Sequence, residues 1–193
     1  MYHIYTTEGI VLKRANFGEA NIILYILTQD LGLIMASAQA ARLGVSKLRP
    51  SLQEYSFSVF SAVKGKNGWK ITNAIAKENF FFSYPEYTRG LLGHIVSLLI
   101  KMIPGEERNI EIYNVIKDGF KYLCSVPKDG IEDMECLIVL RTLFCLGYVV
   151  LDKDTDIFLS DMNTWNEEVL VKMKEKRSKI IPIINKSLKE SQL

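Results

Sequence analysis

The chain has little of the side-chain chemistry that most enzymes and metal-stabilised domains depend on. Its 193 residues include two histidines and three cysteines. Cys124, Cys136 and Cys145 are odd in number and 12 and 9 residues apart, whereas a zinc clip places two ligands two to four residues apart. The cysteine pattern therefore predicts free thiols and excludes a disulfide framework. We expect neither a metal site nor a cofactor.

A long hydrophobic run and a secretory leader are also lacking. The longest apolar stretch, residues 91–103, is interrupted by polar side chains and is shorter than the roughly 20 residues that span a bilayer. The first residues do not combine a cationic region with an apolar region and a cleavage site. These absences predict a cytoplasmic protein with no membrane partner.

Catalytic motifs are missing as well. The sequence has no G-x-S-x-G elbow, phosphate-binding loop, dinucleotide fingerprint or H-E-x-x-H pair. Residues 152–156 place three carboxylates at the spacing that opens a calcium loop, but Ile157 stands where that loop needs glycine and Asn163 where it needs glutamate. We therefore expect a solvated acidic turn, no catalytic residue and a protein that is not an enzyme.

The first 80 residues, by contrast, are rich in strand-forming residues separated by turns. The second strand has Ile22, Leu24 and Ile26 on one face and Ile23, Tyr25 and Leu27 on the other. Both faces are apolar, so we expect one to line a closed core and the other to lie beneath another part of the protein. The pattern predicts strands over 3–14, 19–29, 33–39, 51–63 and 69–76, with turns at 15–18 and 64–68 and a loop over 40–50. Five strands within about 75 residues predict an OB-type barrel.

Helical periodicity replaces this pattern after residue 80. Helices are predicted over about 91–103, from a cap at Asn109 to before Pro127, and over 131–146. A fourth should follow Asn163 and end in the charged run 172–179, before a short helix or frayed tail that breaks near Pro182. Residues 148–160 fit either a short strand or a loop. The expected fold is α+β, with a nucleic-acid-binding domain over 1–80 and a helical domain over 81–193.

Positive charge is concentrated in the strand-rich part. Residues 1–80 hold nine Lys and Arg against five Asp and Glu, whereas the remainder has a net charge of −2. Such barrels bind single strands through a cationic groove and exposed aromatic rings. The candidate contacts are Lys13, Arg14, Arg42, Lys47, Arg49, Lys64, Lys66 and Lys70, with Tyr25, Tyr55 and Trp69 as stacking rings. The alternative is a protein-interaction adaptor whose barrel does not bind DNA.

Several segments, in order, resemble the RecO family of DNA repair proteins. They are TEGIVLKR, FGEANIIL, TQDLG and AQAARLGVSKLRPSLQ in the first part and LIVLRTLFCLGYV in the helical part. Together they cover roughly residues 1–150. The resemblance implies an N-terminal OB barrel followed by a helical domain. It also implies a mediator that binds and anneals single-stranded DNA at the basic barrel regions.

The resemblance further implies partners and one further site residue. Family members work with a RecR-type mediator and help to load the RecA recombinase on strands coated by single-strand-binding protein. The acidic C-terminal tail of that protein is expected to dock on the helical domain, where Arg141 is the candidate contact. Many relatives carry a four-cysteine zinc module just after the position of Gly147 and Tyr148, and this sequence has no cysteine there. A zinc ion is therefore not implied. Association with DNA would place the cytoplasmic protein at the nucleoid.

Overall fold

The computed structural model describes residues 3–44 and 46–191 and divides the chain into two compact units. The barrel unit comprises the chain up to Ser83 together with Pro104–Ile110. The helical unit comprises Tyr84–Ile103 and the chain from Glu111 onward. The proposed functional division at residue 80 stays a prediction, because contacts between residues do not show what either part binds.

The five predicted strands form a closed barrel. Neighbouring strands follow the order β1, β2, β3, β5, β4, and all pairs are antiparallel except β3 with β5. The strands are β1 (Ile4–Phe17), β2 (Asn21–Thr28), β3 (Gly32–Ala38), β4 (Ser56–Gly65) and β5 (Gly68–Asn79). This confirms the expected α+β fold with an N-terminal five-stranded barrel.

Alternation along the strands fills the barrel interior. Ile22, Leu24 and Ile26 of β2 are fully buried and pack with Ile34 of β3 and Phe60 of β4. Successive strand residues point to opposite faces, so the residues between them lie on the outer face. Because both faces of β2 are apolar in the sequence, it is the burial of Ile22, Leu24 and Ile26 that identifies the core face.

β1 is long enough to pair with two neighbouring strands. Its first half pairs with β4 and its second half with β2, and the register shifts between Val11 and Lys13. Such a bulge inserts one extra residue, and the side chains that follow it change to the opposite face of the strand. Val11 and Leu12 are consequently both buried, and Lys13 is exposed.

Several strand boundaries differ from the prediction, among them the ends of β1 and β5 and the start of β4. β1 continues to Phe17, which pairs with Asn21, so the turn is shorter than expected. β4 begins at Ser56 and not at residue 51, because Pro50–Leu52 form a 3-10 turn. The carbonyl of Ser51 accepts hydrogen bonds from the hydroxyls of Ser56 and Ser58, which holds this turn against the start of the strand.

The segment Pro104–Ile110 packs against the turn between β2 and β3. The backbone N–H of Leu33 donates to the carbonyl of Gly105 at 2.9 Å. Gly32 has a φ of +70°, and a Cβ there would lie 2.3 Å from the carbonyl oxygen of Glu107. Glycine is therefore required at position 32 by both its conformation and its close neighbour.

The helical unit contains five helices in its described residues. They are α1 (Arg89–Met102), α2 (Ile110–Leu123), α3 (Ile131–Cys145), α4 (Asp156–Leu159) and α5 (Glu167–Glu190). α3 is central, because it buries residues on nearly all sides and packs against α1, α4 and α5. None of the helices in the described part of the chain has the length and apolarity needed to cross a membrane.

The predicted break near Pro182 is wrong, and the last helix starts later than expected. Pro182 is exposed, so the carbonyl that loses its helical partner faces water, while Ile180 and Ile184 are buried on the other side. The helix is capped by Asn166, whose side-chain oxygen accepts from the N–H of Val169 at 2.9 Å. Residues 148–160 form no strand, and they contain the short helix α4.

Candidate nucleic-acid interface

The outer side of β1, β2 and β3, with the start of β5, forms one continuous surface that we call the barrel face. Lys13 lies opposite Tyr25, and Tyr25 lies opposite Met35. The adjacent row runs from Ala15 through Ile23 and Ser37 to Lys70. Lys13 on β1 and Lys70 on β5 are therefore three strand intervals apart around this curved surface.

The predicted cations are mostly unpaired. Of those eight side chains, only Lys64 forms an ion pair within residues 3–44 and 46–191, and its partner is Glu106. Other charges of the same unit are neutralised: Lys77 pairs with Glu8, and Arg108 lies 3.8 Å from Asp30. The unneutralised positive charge of the barrel unit is thus carried by the residues predicted to meet phosphate.

Five of these eight cations form two separate groups. Lys64 and Lys66 belong to the hairpin between β4 and β5, whereas the turn at Pro50–Leu52 contacts the other end of β4. β4 has 10 residues. At about 3.3 Å per residue its ends are roughly 30 Å apart. Arg14 belongs with the second group, since its guanidinium donates to Gln53 at 3.4 Å.

The second group includes Lys47 and Arg49. Both are exposed on the loop after β3, on either side of Leu48, which packs against the barrel core. Leu52, at the end of the same segment, is fully buried. The loop is therefore anchored by its apolar residues, with its charged side chains in water.

Arg42 lies beside the turn between β1 and β2, at the margin of the barrel face. Its backbone N–H donates to the carbonyl of Ala20 at 3.0 Å, and its Nη1 donates to the carbonyl of Gly18 at 2.8 Å. The N–H of Ala40 donates to the side-chain oxygen of Asn21 at 3.0 Å. These three bonds hold the loop after β3 against the turn and fix the position of an exposed guanidinium.

A groove lies on the other side of the barrel face, between the end of β3 and the β4–β5 hairpin. It encloses about 550 Å³. Lys66 and Lys70 line it together with the polar side chains of Ser37, Gln39 and Asn67, and its lining residues include no carboxylate. The groove therefore suits an anionic, polar ligand better than an apolar one.

The three predicted aromatic rings have different environments. Tyr25 is half-buried on the barrel face. Tyr55 has a φ of +63°, and its N–H donates to the carbonyl of Val11 at 2.7 Å, which places it at the end of the barrel near Arg14. Burial, and then the nearby Glu54 carboxylate, raise the pKa of Tyr55.

The structure contradicts the prediction that Trp69 is a stacking ring. Its side chain is 5% exposed and belongs to the barrel core. Tyr5 contacts it edge-on at 5.2 Å between centroids, and the Lys64 ammonium lies 5.4 Å from its ring centre. Because the ring is covered from both directions, it offers no free face to a base.

Arg141 is also wrongly assigned, because it lies in the core of the helical unit. It is fully buried, and it donates hydrogen bonds to the carbonyls of Phe158, Asp161 and Thr164 at 3.0 to 3.2 Å. Its guanidinium stacks on Trp165, 4.3 Å from the ring centre. Burial lowers the pKa of Arg141 to about 10, because the charged form loses solvation. The side chain holds residues 158–165 in place and does not reach a partner.

One aromatic residue of the barrel face was missed in the sequence. Phe17 is the last residue of β1 and is 56% exposed. The sequence predicts a turn at this position and therefore does not single out Phe17 as a contact. Alternation along β1 nevertheless places Phe17 on the same face as Lys13 and Ala15, and this pattern could have identified it.

Comparison with known proteins relates both units to one family. The family described as "Recombination protein O N terminal" matches residues 1–80. The DNA repair protein RecO of Heliobacterium modesticaldum is 26% identical over 167 residues, which are 84% of this chain and 60% of that protein. RecO of Caldicellulosiruptor bescii is 30% identical over 143 residues, 74% of this chain and 58% of its own length. The chain thus spans about three-fifths of the length of these curated relatives.

Proposed function

Since the chain belongs to the RecO family, we propose that it acts in DNA repair by binding single-stranded DNA along the barrel face. The observation that carries this proposal is the unpaired positive charge around that face. Lys13 and Lys70 lie on it, and Arg42 and Lys66 lie at its margins. Within the described residues none of these four forms an ion pair, so phosphate binding would break no existing salt bridge.

The arrangement supports a sequence-tolerant mode of binding. Cations on β1 and β5, at the two ends of this curved face, would contact phosphates of one strand, and the half-buried Tyr25 lies on β2 between those strands. Binding through phosphates and ring faces does not depend on base identity. Each phosphate that is neutralised also releases counterions, which makes the affinity depend on salt.

We further propose that the protein anneals complementary strands and helps to load a recombinase on strands coated by single-strand-binding protein. Annealing requires no covalent step, because cations that screen the phosphates of two strands lower their mutual repulsion. The residues proposed to act are therefore binding residues, and the activity needs no catalytic group. A RecR-type mediator and single-strand-binding protein are the proposed partners.

One groove of the helical unit is apolar, but its charge does not suit the acidic tail of single-strand-binding protein. The groove encloses about 590 Å³ between α1, α3 and α5. Arg177, in its lining, is already bound by Glu132 at 2.7 Å and by Asp133 at 3.2 Å. Glu135 lies in the same lining beside His94. An acidic peptide would meet carboxylates here, so the proposed contact with that protein is not assigned to this groove.

Fluorescence anisotropy with labelled single-stranded and double-stranded oligonucleotides across a salt series tests the proposal. We expect tighter binding to the single strand, with the logarithm of affinity falling by roughly 0.7 per neutralised phosphate for each tenfold rise in salt. A parallel assay should show faster annealing of complementary strands without nucleotide. Absence of binding, or an affinity unaffected by salt, would contradict the proposal and favour a protein-interaction adaptor.

A further inference from the structure

The exposed ring of Phe17 lies at one end of the barrel face. Lys13, Ala15 and Phe17 are alternate residues of β1, and their partners on β2 are Tyr25, Ile23 and Asn21. Alternate residues of a strand point to the same side. The ring is therefore on the proposed DNA-binding surface, and its 56% exposure leaves much of it available to a ligand.

A single exposed apolar side chain is common on protein surfaces and indicates nothing by itself. The second observation here is the cation beside it. The Arg42 guanidinium donates to the carbonyl of Gly18, the residue that follows Phe17. Within the described part of the chain Arg42 forms no ion pair, and its single hydrogen bond to the turn leaves most of its five N–H donors unused.

The ring and the cation are held by the same short structure. The turn of residues 18–20 is tied to the loop after β3 by the hydrogen bonds from Arg42 and by the bond from Ala40 to Asn21. Fixing the backbone beside the ring and the position of the guanidinium before binding lowers the entropy that a ligand would have to remove. An aromatic face next to a fixed guanidinium matches the two parts of a nucleotide, its base and its phosphate.

We propose that Phe17 is a stacking platform for one unpaired base and that Arg42 binds the adjacent phosphate. This inference rests on the proposed function and specifies how the end of the barrel face engages the strand. Of the two other rings proposed from the sequence for stacking near this face, Trp69 is buried and Tyr25 is half-buried, so Phe17 offers the more accessible face. In a duplex both faces of each base are already stacked, so the contact selects single strands.

The test compares Phe17→Ala with the unaltered chain on two oligonucleotides of equal length: oligothymidine, and an abasic strand that carries the same phosphates without bases. We expect Phe17→Ala to weaken binding of oligothymidine by roughly 5- to 150-fold, the range of base–aromatic stacking, and to leave abasic-strand binding unchanged. Phe17→Tyr should restore the affinity. Arg42→Gln should weaken binding of both strands, since both carry phosphate.

Ile75→Ala is the matched control, because Ile75 is a 61% exposed apolar residue of β5 outside the barrel face. The Ile75→Ala variant should bind both strands with unchanged affinity. The thermal unfolding of every variant should match that of the unaltered chain. Equal affinity of Phe17→Ala and the unaltered chain for oligothymidine would overturn the stacking inference alone, as would an equal loss on both strands. Failure of the unaltered chain to bind either strand would overturn the proposed function itself.

Discussion

Replacement of Arg141 by methionine tests whether this side chain stabilises the helical unit or serves a partner. Methionine replaces the aliphatic part of the arginine side chain with an unbranched apolar chain and removes the guanidinium. It leaves three backbone carbonyls without their donor, and the one at Phe158 is buried. A buried acceptor without a partner costs about 1–3 kcal/mol, and the two partly buried carbonyls would be hydrated by water at a smaller cost.

The loss of the stack on Trp165 adds about 0.5–2 kcal/mol, while removing a buried charge returns part of its desolvation cost. We therefore expect Arg141→Met to lower the free energy of unfolding by about 3 kcal/mol. At about 2–4 °C per kcal/mol for a chain of this size, Tm should fall by roughly 6–12 °C. Differential scanning calorimetry measures this change, and hydrogen exchange should show faster exchange over residues 156–166.

Arg89→Met is the control, because Arg89 is exposed at the start of α1 and its one ion pair among the described residues is with the exposed Glu86. Its unfolding free energy should change by less than about 0.5 kcal/mol. An Arg141→Met protein with unaltered Tm and exchange, but with lost affinity for an acidic peptide that ends in a carboxylate, would refute the structural assignment. It would restore the prediction that Arg141 binds a partner.

Two further predictions concern the helical unit. Gly119→Ala should lower the free energy of unfolding in urea by about 1–2 kcal/mol, because the new Cβ would lie 2.9 Å from the Trp165 ring. Gly93→Ala should raise it by about 0.5–1 kcal/mol, because a Cβ there has nothing within 4 Å and alanine favours the helix. Equal effects at the two glycines would contradict the close packing of Gly119 against Trp165. Burial raises the pKa of Cys136 to about 11 from 9.0, so at pH 8 its thiolate fraction is roughly 100-fold lower, and iodoacetamide should alkylate it correspondingly slowly. Peptide mass spectrometry should show the alkylation rate of Cys136 rising about tenfold per pH unit up to about pH 11. An alkylation rate that stops rising below pH 9 would contradict this.

Local pattern was enough to predict the five strands, because strand-forming runs separated by turns are typical of a small barrel. Both faces of β2 are apolar in the sequence, so only the fold shows that Ile22, Leu24 and Ile26 line the core. The bulge after Val11 was not predictable in this way, since it depends on β1 changing partner from β4 to β2. The persistence of the last helix through Pro182 likewise depends on packing against α3, which a local rule about proline does not include.

Residue type shows which side chains carry charge but not which of them are buried. Seven of the eight predicted cations form no ion pair among the described residues, whereas Arg141 lies in the core, and contact of the eight with DNA stays a prediction. The environments of Trp69 and Arg141 are set by residues distant in sequence, such as Tyr5 for the first and Thr164 for the second. The sequence therefore indicates which groups could meet a nucleic acid, and tertiary contacts decide which of them are accessible.

The central claim, that the cations of the barrel face neutralise phosphate, is tested by the salt slope of single-strand binding in the Lys13→Gln, Lys70→Gln double variant. Losing two phosphate contacts should reduce the slope of log affinity against log salt by about 1.4. The Lys153→Gln, Lys189→Gln double variant removes the same charge from exposed sites in the helical unit and should retain the slope of the unaltered chain. A Lys13, Lys70 variant whose slope equals that of this control would contradict the claim.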